Sequence, residues 1–158
     1  MADARFAEGA DTPLYLAAQD GDDLTVISTL VQDAVFALAE MHFRRSQRQF
    51  AVLLNRFRWE DRASAERAGR AYERVRSLLV VGDVLAVQTS GFDRRQRGAV
   101  LSLLQIAWQP GPDGTGTVTL TLAGGAVIAL KVEALDVTLK DVTRPYLAPS
   151  RRAPEHQV

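Results

Sequence analysis

The residues with the clearest capacity for binding chemistry are arginines that fall in two short stretches of the chain. They are Arg44, Arg45, Arg48, Arg56, Arg58, Arg94, Arg95 and Arg97. A guanidinium group binds phosphate and carboxylate groups through paired hydrogen bonds. Single-stranded nucleic-acid binders combine such charge with aromatic side chains on a sheet. One hypothesis is therefore a weak single-stranded nucleic-acid binder that uses the hairpin at 44–58 and the loop at 94–97.

The overall charge balance argues against a strong positive field that would attract nucleic acid. Basic and acidic residues number 19 each, so the formal net charge is zero. Residues 1–43 are acidic and residues 44–97 are basic, and two such segments can cancel when they pack together. Nucleic-acid binding is possible but not favoured. It predicts that binding falls with salt, and that Arg56→Ala with Arg58→Ala weakens binding without loss of folding.

Acidic residues support a different hypothesis, an enzyme with an unfamiliar site. The acids to test are Asp22, Asp23, Glu60 and Asp61. The DGDD segment at 20–23 is explained more simply as the cap of a helix. Glu40 and His42 are two apart on a predicted strand, but a zinc site needs more ligands than these two. The other histidine, His156, lies near the end of the chain and is a poor catalytic candidate.

The usual catalytic and cofactor motifs are missing from the sequence. The chain has no cysteine, no G-x-S-x-G, no P-loop and no dinucleotide fingerprint. The glycines at 111–116 and 124–125 lie between predicted strands and indicate hairpin turns. We therefore expect no cofactor and no metal. The first residues are acidic without an apolar run, and no stretch is long enough to span a bilayer, so we expect a cytoplasmic protein without membrane contact.

The central predicted element is a long strand with the sequence FAVLLNRFRWED at 50–61. Its first half is apolar on both faces, as in the middle of a sheet. In its second half, alternation is expected to place Phe57 and Trp59 on a core face and Arg56 and Arg58 on a wet, cationic face.

The other elements predict a single α+β domain at 13–143. A helix at 24–34 carries an apolar stripe and is expected to pack on a sheet. The strands form a strongly bent, mostly antiparallel sheet of about seven or eight strands, barrel-like if it closes. Residues 60–76 are a short helix or a flexible connector.

The two ends of the chain lack the periodicity of folded elements. Residues 1–12 are expected to be loose. Residues 144–158 are rich in proline and arginine and are expected to form a disordered tail.

Several segments resemble a known bacterial family. They are LLNRFRWED, LTVISTLVQDAV, VLAVQTSGFDR, and AVLSLLQIAW followed by TLAGG. They are similar to the family called domain of unknown function 2948, over about residues 13–142. The positions that carry the resemblance most are Asn55, Arg56, Phe57, Trp59 and Glu60. The resemblance implies a small cytoplasmic protein, but no activity, ligand or catalytic residue.

Asn55, Trp59 and Glu60 form a candidate functional surface. Because buried amides usually pair with the backbone, Asn55 is expected to be a structural hydrogen-bonding residue rather than a site residue. The leading hypothesis for the whole chain is a non-catalytic binding or assembly module. A homodimer through an edge or face of the sheet is one form of it.

Overall fold

The computed structural model describes residues 12–148 and 153–154 of the chain. The predictions made for residues 1–11, 149–152 and 155–158, His156 among them, lie outside the described residues.

The described chain forms one large sheet and two short helices. The helices are α1 (Gly21–Leu30) and α2 (Arg62–Ala68). The strands are β1 (Tyr15–Ala18), β2 (Val35–Ala37), β3 (Met41–Arg44), β4 (Gln49–Phe57), β5 (Glu73–Val81), β6 (Val84–Ser90), β7 (Val100–Pro110), β8 (Gly116–Leu122), β9 (Val127–Val132), β10 (Val137–Asp141) and β11 (Tyr146–Leu147). All strand pairs are antiparallel. The prediction of an α+β fold with a mostly antiparallel sheet is confirmed.

The sheet curls strongly but does not close into a barrel. Its strand order is β1-β10-β5-β4-β2-β7-β8-β9-β6, with β3 on β4 and β11 on β5. The last strand of this path, β6, returns to the β3–β4 hairpin, where the backbone N–H of Val84 donates to the carbonyl of Arg48 at 2.9 Å. Beyond that bond β6 and β3 do not pair, so a barrel is not completed. The sheet has 11 strands, more than predicted. The predicted strand that holds Glu40 and His42 is divided into β2 and β3 by a turn at Leu38–Glu40, and β11 lies in the expected tail.

Helix α1 forms where an aspartate caps it and an apolar stripe buries it. The side chain of Asp20 accepts a hydrogen bond from the N–H of Asp23 at 2.8 Å. Leu24 and Ile27 are buried in the core, and α1 packs on β1 and β7. The helix begins and ends earlier than the predicted 24–34. The reason for the early end is Asp33, which has a φ of 63° and turns the chain towards β7.

Strand β4 has the predicted central place, but its charged half is buried. Phe50, Val52 and Leu54 face the core, and Arg56 continues the same alternation with an exposed fraction of 0%. Arg58 is also buried. The predicted wet, cationic face at Arg56 and Arg58 is therefore wrong, because this face is the inner face of the curled sheet.

The segment at 60–76 contains a helix rather than a flexible connector. Helix α2 ends at Gly69, whose φ of 65° is the left-handed conformation that closes many helices. Strand β5 then begins at Glu73, within the same segment. Further along, Tyr146–Leu147 pair with β5, so part of the expected tail is a strand.

Candidate functional site

Arg56 lies at the centre of a buried network of charged side chains. Its guanidinium group makes two hydrogen bonds to the Glu60 carboxylate, at 2.8 and 2.7 Å. It contacts both oxygens of Asp141 at 3.1 and 3.2 Å, and its Nε donates to Ser77 Oγ at 2.9 Å. Ser77 Oγ in turn donates to Asp141 at 2.6 Å. The network joins β4, β5 and β10. It contains Arg56 and Glu60, which were predicted to belong to a binding surface.

The network compensates the buried charge of Arg56. Burial alone would lower the pKa of Arg56, but the hydrogen bonds and negative charges of Glu60 and Asp141 outweigh it, so its pKa is raised above the usual value. Asp141 also accepts a hydrogen bond from the backbone N–H of Leu14 at 2.9 Å. The buried cation is thus fully engaged within the fold and not available to a ligand.

A second network lies beside the first and contains the other predicted site residues of this region. Arg58 donates to Glu73 at 3.0 Å. Arg70 holds Asp61 through two hydrogen bonds of 2.7 and 2.6 Å. The hydrogen bond from Arg70 keeps the pKa of Asp61 below its usual value. These contacts fix α2 and the start of β5 to the end of β4.

The four acids proposed for catalysis lie in two separate segments, the first turn of α1 and the turn between β4 and α2. Glu60 is bound by Arg56 and Asp61 by Arg70, and Asp61, whose pKa is lowered, is a poor general acid near neutral pH. Asp22 and Asp23 lie in the first turn of α1, where negative charge favours the helix dipole. Among the described residues, no group of three or more histidine, aspartate or glutamate side chains could hold a metal ion.

Asn55 and Trp59 also contact the protein itself. Asn55 Oδ1 accepts a hydrogen bond from Arg74 at 3.3 Å. The indole N–H of Trp59 donates to the carbonyl of Gln32 at 3.0 Å, and its ring meets that of Phe57 edge-on at 4.7 Å. The Asn55 contact joins β4 to β5, and the Trp59 contact joins the turn after β4 to the segment after α1. Both arrangements are expected of structural residues.

A groove opens between β3 and β6, at the place where the sheet fails to close. We call it the seam groove, and its volume is about 490 Å³. Its apolar lining is Met41, Phe43, Phe50, Leu85, Ala86 and Val87. Its polar lining is Arg45, Thr89, Arg94 and Arg97. Both the volume and the mixture of apolar walls with a few polar groups are typical of binding pockets.

Apart from the buried Phe50, the apolar lining of the seam groove consists of partly exposed side chains. Met41 and Phe43 lie opposite the core residues Val52 and Phe50, yet both are only half-buried. On the other side, the pairing of β6 with β9 shifts register between Val84 and Ala86. Such a bulge re-aims a side chain, and Leu85, the residue within it, is 52% exposed.

The loop between β6 and β7 places arginines at the groove. It begins at Gly91, whose φ is 85° and where a Cβ would lie 2.7 Å from the Cα of Ala126. Further along, Arg97 accepts a backbone hydrogen bond from Ala39 and Ala99 accepts one from Leu38, both at 2.9 Å. The loop is therefore fixed to the turn before β3, and Arg94 and Arg97 lie at the seam.

The arginines of the groove differ from their neighbours Arg48 and Arg95 in having no acidic partner among the residues that the structure describes. Arg45, Arg94 and Arg97 are exposed, and within the described part of the chain none forms an ion pair. The guanidinium of Arg45 lies over the ring of Phe43, 5.9 Å from its centre. By contrast, Arg48 pairs with Glu133 and Arg95 with Asp93.

The structure thus divides the predicted arginine set. Arg45, Arg94 and Arg97 meet at the seam groove, whereas Arg44 lies on the outer face of the sheet and Arg56 is buried. Sequence reasoning missed the groove itself. The available signal was the alternation of Met41, Phe43 and Arg45 beside the hairpin turn.

The outer face of the sheet carries a second, shallower hollow of about 410 Å³. Its floor is aliphatic, because Ala51 faces Val80 and Leu53 faces Leu78 across β4 and β5. Around it lie charged and polar side chains together with one exposed valine. They are Glu40, His42, Arg44, Gln49 and Val142.

Comparisons with known proteins give one family match. A family model described as "Protein of unknown function (DUF2948)" matches residues 14–156. Neither the search of curated proteins nor the search of solved structures gives a significant match. Within the described residues, no helix has the length and apolar character needed to cross a bilayer.

Proposed function

The chain belongs to the DUF2948 family of proteins of unknown function, and we propose that it is a non-catalytic binding module whose binding surface is the seam groove. The observation that carries this proposal is that three exposed arginines and a half-buried apolar lining occur in the same groove. The family name assigns no activity, so the proposal depends on the geometry of the groove.

The charge of the groove favours an anionic partner. Arg45, Arg94 and Arg97 contribute three positive charges, and no aspartate or glutamate lines the groove within the described residues. Since arginine pairs with carboxylate or phosphate through two parallel hydrogen bonds, a partner that carries either group is expected to bind. A neutral or cationic partner would leave these charges uncompensated.

The same lining favours binding over catalysis. General acid–base chemistry needs a group that titrates near the working pH, and the polar lining offers only arginines and the hydroxyl of Thr89. Arginine keeps its proton at any physiological pH. The groove can therefore attract and orient an anion but has no evident proton donor or acceptor for a reaction.

Fluorescence anisotropy with two labelled polyanions tests the proposal. The probes are an oligoglutamate peptide and an oligothymidylate, each titrated with the full chain. We expect Arg94→Glu with Arg97→Glu to weaken binding by about tenfold or more, which corresponds to ~1.4 kcal/mol. For the oligothymidylate, three phosphate contacts predict a loss of roughly 20-fold between about 50 and 200 mM salt.

Arg67→Glu with Arg144→Glu is the matched control, because it makes the same charge change. Both residues are exposed, and neither lines the groove. We expect the control to bind within about twofold of the natural chain, since remote surface charges are screened. If neither probe binds, or if both double variants weaken binding equally, the seam groove is not the binding surface.

A second candidate function, assembly of a homodimer, is favoured by the aliphatic outer face. Glu40 and Arg44 lie at the same hollow, so two copies related by a two-fold axis can pair opposite charges around Leu53. Light scattering is expected to give twice the 17.3 kDa of one chain. Leu53→Lys is expected to restore the monomer and Leu85→Lys, in the seam groove, to leave the dimer intact. A natural chain that stays monomeric would contradict this candidate.

A cytoplasmic location is also part of the proposal. Its support is the composition, which is 47% hydrophobic and 24% charged, as in ordinary globular domains. Fractionation of native cells tests it, and recovery of the protein outside the cytoplasmic fraction would contradict it.

A further inference from the structure

We propose that the anionic partner is an extended peptide that carries both acidic and apolar residues, and that it adds as a strand to the open edge of β3 within the seam groove. This inference rests on the proposed function, since it identifies the partner of the same groove. Three features of the groove support it: an open strand edge, uncovered apolar side chains on the inner face of the sheet, and the three arginines.

The first feature is the unpaired edge of β3. Among the described strands, β3 pairs with β4 alone and β6 pairs with β9 alone. An edge strand presents N–H and C=O groups that another chain can pair with. The bulge at Leu85 interrupts the edge of β6, whereas β3 pairs regularly from Met41 to Arg44. The edge of β3 is therefore the better template for an added strand.

The second feature is the incomplete cover of inner-face side chains. Met41, Phe43 and Val87 pack partly against the core, but their remaining surface lines the groove. Successive side chains of a strand point to opposite faces. A strand placed beside β3 would therefore direct every second side chain onto this apolar floor, and apolar residues at those positions would bury it.

The third feature is the position of the positive charges. Arg45 follows β3 directly, Arg94 and Arg97 belong to the loop after β6, and all three line the groove together with its apolar floor. Positions of the added strand beside these arginines would favour acidic residues, and positions over the apolar floor would favour apolar residues. The partner is therefore expected to carry both kinds of side chain.

A single-stranded nucleic acid is the less suitable partner for this groove. Such partners bind through a series of aromatic side chains on which successive bases stack. Among the residues that the structure describes, the aromatic ones in the lining are Phe43 and Phe50. Phe50 is buried, and the guanidinium of Arg45 lies over the ring of Phe43. The groove thus offers at most one stacking surface.

Selection of peptides from a displayed library of random dodecamers tests the predicted composition. The full chain is the bait, and the Arg94→Glu, Arg97→Glu double variant is used for counterselection. We expect the selected peptides to be enriched in aspartate and glutamate and to contain apolar residues as well. Selected peptides without acidic enrichment, or selection of none, would overturn the inference.

Backbone methylation of the strongest peptide separates strand addition from side-chain binding. Two versions are made, with N-methyl groups on the odd or on the even residues, so that each leaves all side chains unchanged. Since an added strand bonds to β3 through alternate N–H groups, we expect at least one version to lose about tenfold or more in affinity. If both versions bind as well as the parent, the peptide is not an added strand.

Hydrogen exchange provides an independent readout on the protein. Alternate residues of β3 point their amides away from β4, and the parent peptide is expected to slow their exchange about tenfold or more. Unchanged exchange at Met41–Arg44 in the bound state would overturn the inference. The result is distinct from failure of the proposed function: polyanions that bind the groove while no acidic peptide does would leave the binding module standing with a different partner.

Discussion

Removal of the Arg56 side chain is the perturbation for which the structure predicts the largest loss of stability. Arg56→Ala would leave Asp141, whose side chain is 6% exposed, without its cation, and it would remove the Nε–H group that donates to Ser77 Oγ. Removing one member of a buried ion pair costs about 3–5 kcal/mol. A domain of this kind is stable by about 5–15 kcal/mol in total. We therefore expect Arg56→Ala to remove a large part of the free energy of unfolding.

Urea unfolding measures this loss, with fluorescence of Trp59 and Trp108 as the signal. Arg95→Ala is the control, because the side chain of Arg95 is 91% exposed and its removal should change stability by less than about 0.5 kcal/mol. The double variant Arg56→Met with Asp141→Leu is a second test. Replacement of a buried ion pair by apolar residues is often close to neutral, so the double variant should be clearly more stable than Arg56→Ala.

An Arg56→Ala variant as stable as Arg95→Ala would refute the structural role of the network. The same result would reopen the nucleic-acid hypothesis, which requires that Arg56 and Arg58 can be replaced without loss of folding. A double variant no more stable than Arg56→Ala would show that the buried charges are not the source of the loss.

Further predictions concern acid stability, helix capping and a left-handed turn. The pKa of Asp61 is lowered in the fold by its hydrogen bond to Arg70, so its contribution is present above the unfolded pKa of about 3.9 and is lost as the pH falls through the folded value. Asp61→Asn should therefore lose about 2 kcal/mol at neutral pH, with a difference that shrinks in acid; a pH-independent difference in urea unfolding would contradict this. Asp20→Ala should cost about 1 kcal/mol and Asp22→Ala less, since only Asp20 caps α1; equal losses in thermal unfolding would argue against the cap. Gly69→Ala should cost about 1 kcal/mol, and an unchanged melting temperature would contradict the left-handed end of α2.

Local features of the fold were predictable because their causes lie within a few residues. The cap at Asp20, the apolar stripe at Ile27 and the turn at 124–125 depend on neighbours in sequence. The antiparallel sheet follows from hairpins of the same kind. The register of the β3–β4 hairpin needs no distant contact for its explanation.

The burial of Arg56 was not predictable, although strict alternation from Phe50, Val52 and Leu54 places it on the core face. An arginine is rarely buried unless it is paired, and its partners lie far along the chain. Ser77 is 21 residues away and Asp141 is 85 residues away. The sequence shows charge at this position but not the partners that neutralise it.

The seam groove depends on tertiary structure in the same way. It exists because β6 meets the β3–β4 hairpin at Arg48 and then does not pair with β3. These two strands are far apart in sequence. Local patterns in either strand indicate an ordinary half-buried strand. Only the path of the whole sheet brings Arg45 near Arg94 and Arg97.

Amide NMR of the full chain during titration with the oligoglutamate probe tests the central claim most directly. The account predicts that chemical-shift changes concentrate at 41–45, 85–89 and 94–97, the segments that line the seam groove. Changes centred instead on Ala51, Leu53, Leu78 and Val80 would place binding on the outer face of the sheet. That result, or changes spread over the whole surface, would contradict the claim that the seam groove is the binding surface.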